Sequence, residues 1–174
     1  MFRAGQHETM PDEISTDSVI EDDRWEEAGL ESLAERAVTA ALEWHGIGGE
    51  VVVLGCDDAR IAALNADFRG KPRATNVLSW PAVEHISRDP GARPLLPEVE
   101  ELGDIAIAFD TCEAEALAQG KPFSDHVTHL LIHAVLHLLG YDHENDLDAE
   151  TMEAAERSIL QILQIPDPYQ EKVS

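Results

Sequence analysis

The chain has 174 residues, 44% of them hydrophobic, enough for one domain with a buried core. Its formal net charge of −23 favours solubility and excludes broad nonspecific affinity for nucleic acid, because Lys and Arg hold phosphate backbones. No stretch approaches the roughly 18 apolar residues of a membrane span, and the N-terminus has no apolar signal-peptide core; two isolated cysteines suit a reducing cytoplasm, so a cytoplasmic protein with no membrane partner is expected.

Residues 1–12 read as a mobile leader. Ile14, Val19 and Ile20 among acidic side chains give a weak strand over 14–22. From 27 to 45, Leu30, Leu33, Ala37, Val38, Ala41 and Leu42 follow a helical period that Gly46 closes. The β-branched run Glu50–Gly55 is a buried strand. Asp57 or Asp58 caps the next helix, whose inner face is Ile61, Leu64 and Phe68; Gly70 and Pro72 end it, leaving Arg69 at the helix-to-loop junction. Asn76–Trp80 is a short strand stopped by Pro81, and the proline-rich stretch 82–100 is a long surface excursion. Leu102–Phe109 is a further strand, and Asp110 caps a short helix reaching Gln119. Ser124 or Asp125 starts a helix running to Leu139, apolar on several faces and so expected at the centre of the fold. A last amphipathic helix near 148–163 presents Met152, Ala155, Ile159, Ile162 and Leu163, and Pro166 and Pro168 end it. The pattern predicts an α+β single domain over 13–165, a small mixed sheet with packed helices, followed by a tail over 166–174.

The central helix carries the chemistry. His133 and His137 lie four residues apart and share one helix face, with Cβ atoms roughly 5–6 Å apart. Gly140 supplies the residue type that most easily ends a helix in a left-handed conformation, so the chain can bring His143 back beneath them. Three imidazoles leave a fourth tetrahedral position open, the arrangement of a catalytic zinc site holding one ion per chain. A single His on an apolar face is ordinarily a packed core residue; three at this spacing with an intervening Gly are not. A structural zinc would need a fourth protein ligand, and neither Cys56 nor Cys112 lies in a paired C-x-x-C arrangement. His129 continues the stripe, but eight helical residues rise about 12 Å, too far for His129 and His137 to share an ion. His129 is therefore read as a pocket residue, and His126, off that face, as solvent-exposed.

The spacing H-x-x-x-H-x-x-G-x-x-H is that of the long zinc-peptidase motif, but Ala134 stands where the peptidase keeps its general-base glutamate. A metal cage without that base points to a different hydrolase. A local basic patch suggests the substrate: of twelve Lys and Arg, four are Arg60, Arg69, Lys71 and Arg73, whereas residues 1–35 carry eleven acidic side chains.

Three segments together resemble the YbeY family of metal-dependent endoribonucleases, the rRNA maturation factors: His133–His143 (HAVLHLLGYDH), Leu64–Pro81 (LNADFRGKPRATNVLSWP) and the Leu102-Gly-Asp-Ile105 strand start. The departures are Asn76 where Asp is common, Trp80 for Phe, Ala134 for a small Gly, and a long 82–100 loop. The resemblance covers about 14–163. It implies a zincin-like fold, Zn2+ on His133, His137 and His143, a catalytic Arg69, and action on the 3′ end of small-subunit ribosomal RNA in ribosome maturation and quality control.

The residues agree with this. A planar, permanently charged guanidinium suits the charge accumulating on a phosphodiester's equatorial oxygens, which assigns that role to Arg69. Lys71, Arg73 and His129 are the expected substrate-binding residues. The partners expected are single-stranded or ribosomal RNA and the small ribosomal subunit, whose basic proteins would meet the acidic surface. The sequence leaves two nucleophiles open, metal-activated water and the RNA 2′-hydroxyl, and offers Asp142 and Glu144 as bases or, alternatively, as turn caps. Two competing readings are a non-catalytic zinc-containing assembly factor and a zinc peptidase drawing its base from Glu144.

Overall fold

The computed structural model describes residues 13–83, 85, 89–97 and 99–169; the leader expected at 1–12 and the end of the tail at 170–174 lie outside them. The elements run β1 (Ile14–Ile20), α1 (Arg24–Glu27), α2 (Leu30–His45), β2 (Gly49–Cys56), α3 (Asp58–Arg69), β3 (Val77–Pro81), β4 (Glu101–Ala108), α4 (Phe109–Gln119), α5 (Phe123–Leu138) and α6 (Asp146–Ile162). The fold is the expected α+β single domain with a small mixed sheet. Its strand order is β1-β2-β4-β3, with β1, β2 and β4 parallel and β3 antiparallel on the edge. An edge position explains why β3 tolerates Pro81, which removes one ladder donor.

Val51, Val53, Ile105 and Ile107 face the main core with α2 and α5, whereas Cys56, Ala106, Ala108 and Leu78 form a smaller cluster under Ile61 of α3. The central position expected for α5 is correct: Val127, Leu130, Leu131, Val135, Leu136 and Leu138 are all buried. Cys56 and Cys112 are free and buried, and burial pushes the Cys56 thiol up to about 12, so neither resembles a thiolate ligand.

Several boundaries differ from expectation, each for a local reason. The helix expected from 27 is split at Gly29 (φ 76°), whose left-handed conformation lets α1 dock Trp25 into the core, its indole N–H donating to the Cys56 carbonyl at 2.9 Å. Asp57 caps α3 through the Arg60 N–H. Asp110 does not cap its own helix: Ala108 holds that position, and Asp110 accepts instead from the Asp58 N–H at 3.3 Å and ion-pairs with Arg24. Residues 123 and 122, not 124 or 125, open α5, with Pro122 at the N-cap, and Asn145 starts α6 two residues early by accepting from the Asp148 N–H. Phe68 is 64% exposed, against Trp80 at 5.5 Å, because Ile61 and Asn65 occupy the buried side of α3.

The 82–100 excursion carries no helix or strand among its described residues and is strapped behind the end of α5. His85 Nε2 lies 2.9 Å from the Leu138 carbonyl, the Gly91 N–H donates to Asp148, and Arg93 sits over the Trp44 ring. The close approach of sheet and α5 depends on Gly103 (φ 144°), where the β2–β4 register shifts. A Cβ there would overlap the Trp80 carbonyl oxygen and come within 2.8 Å of Leu138 Cδ2. Gly103→Ala is expected to destabilise the protein by about 2–4 kcal/mol, read from a denaturant midpoint; a loss under about 0.5 kcal/mol would show that the approach is not tight.

Candidate metal centre

Helix α5 delivers His133 and His137 on one face, and its end delivers the third imidazole. The Gly140 N–H donates to the His137 carbonyl and the Tyr141 N–H to the Leu136 carbonyl at 3.0 Å, a six-residue closure across Gly140 (φ 109°) that reverses the chain. Gly140 is required twice, since a Cβ would also press within 2.9 Å of Pro94 Cβ. Tyr141, 2% exposed, anchors the turn by bonding His45 at 2.8 Å. His143 then stands beside the helix pair, its ring 5.5 Å from that of His133 and 5.1 Å from that of His137. One nitrogen from each of the three lies within 4.8 Å of the others.

The outer nitrogens fix the tautomers. His133 Nδ1–H donates to Glu156 Oε2 at 2.5 Å, and His137 Nδ1–H donates to the Tyr141 carbonyl at 3.0 Å. In neutral imidazoles both Nε2 atoms are then bare, and they face each other at 3.1 Å. Two lone pairs aimed at one point repel unless a cation lies between them. A tetrahedral ion with nitrogens at 2.0–2.1 Å separates them by about 3.3–3.4 Å, so the donor set fits a metal. Burial, with the His133 and His143 rings beside it, pushes His137 down to about 4, leaving it neutral and ready to ligate.

Glu156 is the residue that sequence reading missed. It is fully buried on α6, and its Oε1 accepts from His129 Nε2 at 2.8 Å and from the Tyr169 hydroxyl at 2.5 Å. Burial alone would raise its pKa, but the bonds from His129 and His133 outweigh it and hold the carboxyl down to about 2. The signal was present. An acid at 156 sits inside the stripe Met152, Ala155, Ile159, Leu160 that α6 buries, whereas Ile162, expected on that stripe, is 62% exposed. His126, expected in solvent, is 4% exposed, with Nε2 2.9 Å from Glu115. The apolar packing of α5 leaves no solvent face at that position.

The seven residues expected to bind metal or substrate or to act on it, Arg69, Lys71, Arg73, His129, His133, His137 and His143, all line one cleft of about 690 Å³. Arg69 donates to the Ser79 carbonyl at 2.9 Å, a neutral acceptor on the edge strand. Arg60, the fourth cation of the basic run, is instead paired with Glu21 at 3.1 Å. Among the described residues lining the cleft there is no Asp or Glu, although the chain holds 35. Asp142 and Glu144 stay outside that lining; the Glu144 N–H donates to Asp142, as turn caps do. Ala134 lines the cleft where a peptidase base would stand.

The family model for Endoribonuclease YbeY matches residues 16–164. A relative from Paracoccus denitrificans named Endoribonuclease YbeY is 67% identical over 164 residues, covering 92% of this chain and 94% of that protein. Another of that name from Cereibacter sphaeroides is 56% identical, covering 88% and 97%. The solution structure of TM1509 from Thermotoga maritima, 22% identical, is similar in fold with a TM-score of 0.54 over 90% of this chain and 99% of that one. No helix among the described residues is long and apolar enough to cross a membrane.

Proposed function

The chain belongs to the YbeY endoribonuclease family, and from that membership we propose that it is a zinc-dependent endoribonuclease that cuts single-stranded RNA, with the 3′ end of small-subunit ribosomal RNA as its target in ribosome maturation. The observation that carries this reading is the cleft itself: three convergent imidazoles share it with three cations that make no ion pair among the described residues, and no acid is among the described lining residues of a chain of net charge −23. Such a cleft attracts a polyanion locally while the rest of the surface repels it.

The Nε2 atoms of His133 and His137, with a nitrogen of His143, would hold the ion. When bound, zinc supplies Lewis acidity to a phosphoryl oxygen. Glu156 and the Tyr141 carbonyl orient the imidazoles by accepting their outer protons. Arg69 neutralises charge developing on the phosphate, and its bond to Ser79 fixes where the guanidinium starts from. Lys71 and Arg73 hold flanking phosphates, and His129 forms the wall beside His133. Basic proteins of the small subunit recruit the acidic outer surface, so RNA contacts need act only within the cleft. The setting of that work is the cytoplasm.

The net charge also favours a second reading, an assembly factor whose zinc only stabilises the fold. One assay separates the two: cleavage of a single-stranded RNA by zinc-loaded protein beside His137→Ala purified identically. Activity in the wild type alone supports the nuclease, equal activity in both identifies a contaminant, and silence in both favours the assembly factor.

A further inference from the structure

We propose that Tyr169 is a positioning residue of the metal centre, acting through Glu156 on His133; this rests on the reading that the histidine triad holds zinc. Past the end of α6, Gln164 (φ 63°) reverses the chain, and the Ile165 N–H donates to the Leu160 carbonyl at 2.9 Å. Ile165 anchors in the core at 9% exposure. Pro166 and Pro168 restrict the backbone around Asp167, which is held to α6 by Arg157 at 3.1 Å and accepts the Tyr169 N–H at 2.8 Å. The Arg157 guanidinium also lies over the Tyr169 ring, 5.4 Å from its centroid. That ring meets the His129 ring edge-on at 5.6 Å and lines the cleft, and its hydroxyl reaches the fully buried carboxylate of Glu156 at 2.5 Å.

Three donors from two parts of the chain thus converge on Glu156: His129 and His133 from α5, and Tyr169 from the segment beyond α6. A carboxylate held at Oε1 by two donors has its plane set. The direction in which Oε2 receives His133 Nδ1–H is set with it, and so is the orientation of the ligand ring. Phe at 169 would retain the ring packing and the cation–π contact but free Oε1 from one of its two restraints. Partners of metal-ligating histidines are worth about 10–100-fold in affinity; a group one bond further out is expected to contribute about 3–10-fold.

The test is zinc affinity, from competition with a chromophoric chelator, and the absorption spectrum of the cobalt-substituted protein. Wild type, Tyr169→Phe, Glu156→Gln and the double variant are compared, with circular dichroism to confirm folding. Tyr169→Phe should weaken zinc about 3–10-fold and shift the cobalt bands, and it should add less than about twofold in the Glu156→Gln background. Asp167→Asn, which loosens the strap without touching the hydroxyl, should move affinity in the same direction. An unchanged affinity and spectrum in Tyr169→Phe overturns the proposal, as does a lower melting temperature with unchanged affinity, or full additivity in the double variant. Absence of zinc binding in the wild type would overturn the metal reading itself.

Discussion

Replacing Arg69 by Ala is expected to lower RNA cleavage by about 10²–10³-fold, the usual effect of removing one preorganised donor to developing charge, with zinc content unchanged. Arg24, Arg60 and Arg157 all spend their charge on acids, through Asp22 and Asp110, Glu21, and Asp167 with Glu153. Arg69 is bonded only to a neutral carbonyl among the described residues, lines the cleft, and makes no hydrogen bond to the three imidazoles or to Glu156. Its charge is therefore available to a phosphate, and its removal leaves the metal ligands and their outer partners in place. Arg69→Lys keeps the charge but loses the planar fork, so it should fall between wild type and Ala. Steady-state cleavage of a labelled single-stranded RNA, beside metal analysis of the same samples, checks both statements. Wild-type rates in Arg69→Ala would remove Arg69 from the mechanism, and loss of zinc in that variant would reassign it to the fold.

Glu156→Ala should do the reverse, weakening zinc by about 10–100-fold through loss of the carboxylate that orients His133. It leaves the partly buried His129 Nε2–H and His133 Nδ1–H, and the Tyr169 hydroxyl, without the acceptor that Glu156 supplies, so a stability loss of about 1–3 kcal/mol in the metal-free protein should accompany it. Chelator competition gives the first quantity and denaturant unfolding the second. Unaltered zinc affinity would mean that His133 is oriented by its own rotamer and packing alone. The two variants together would separate an effect on RNA cleavage from an effect on metal retention.

The sequence by itself determined the fold class and the place of α5 at the centre, and it singled out seven of the residues that line the cleft. These are read from local regularities: the four-residue spacing of His133 and His137, the turn residue Gly140, the run of cations after α3, and the apolar faces of the helices. Such signals survive in sequence because helix geometry converts spacing into direction whatever surrounds it. Membership of the YbeY family was legible in the same segments. Only the tertiary structure decided the strand order, the burial of His126, the exposure of Phe68 and Ile162, and the docking of the 82–100 segment behind Gly140. It alone joined Glu156 and Tyr169 to His133, across 23 residues in one case and through Glu156 in the other. The physical reason is that a buried charge is worth keeping only where long-range partners meet it. No local pattern reports where a chain of this length brings those partners together.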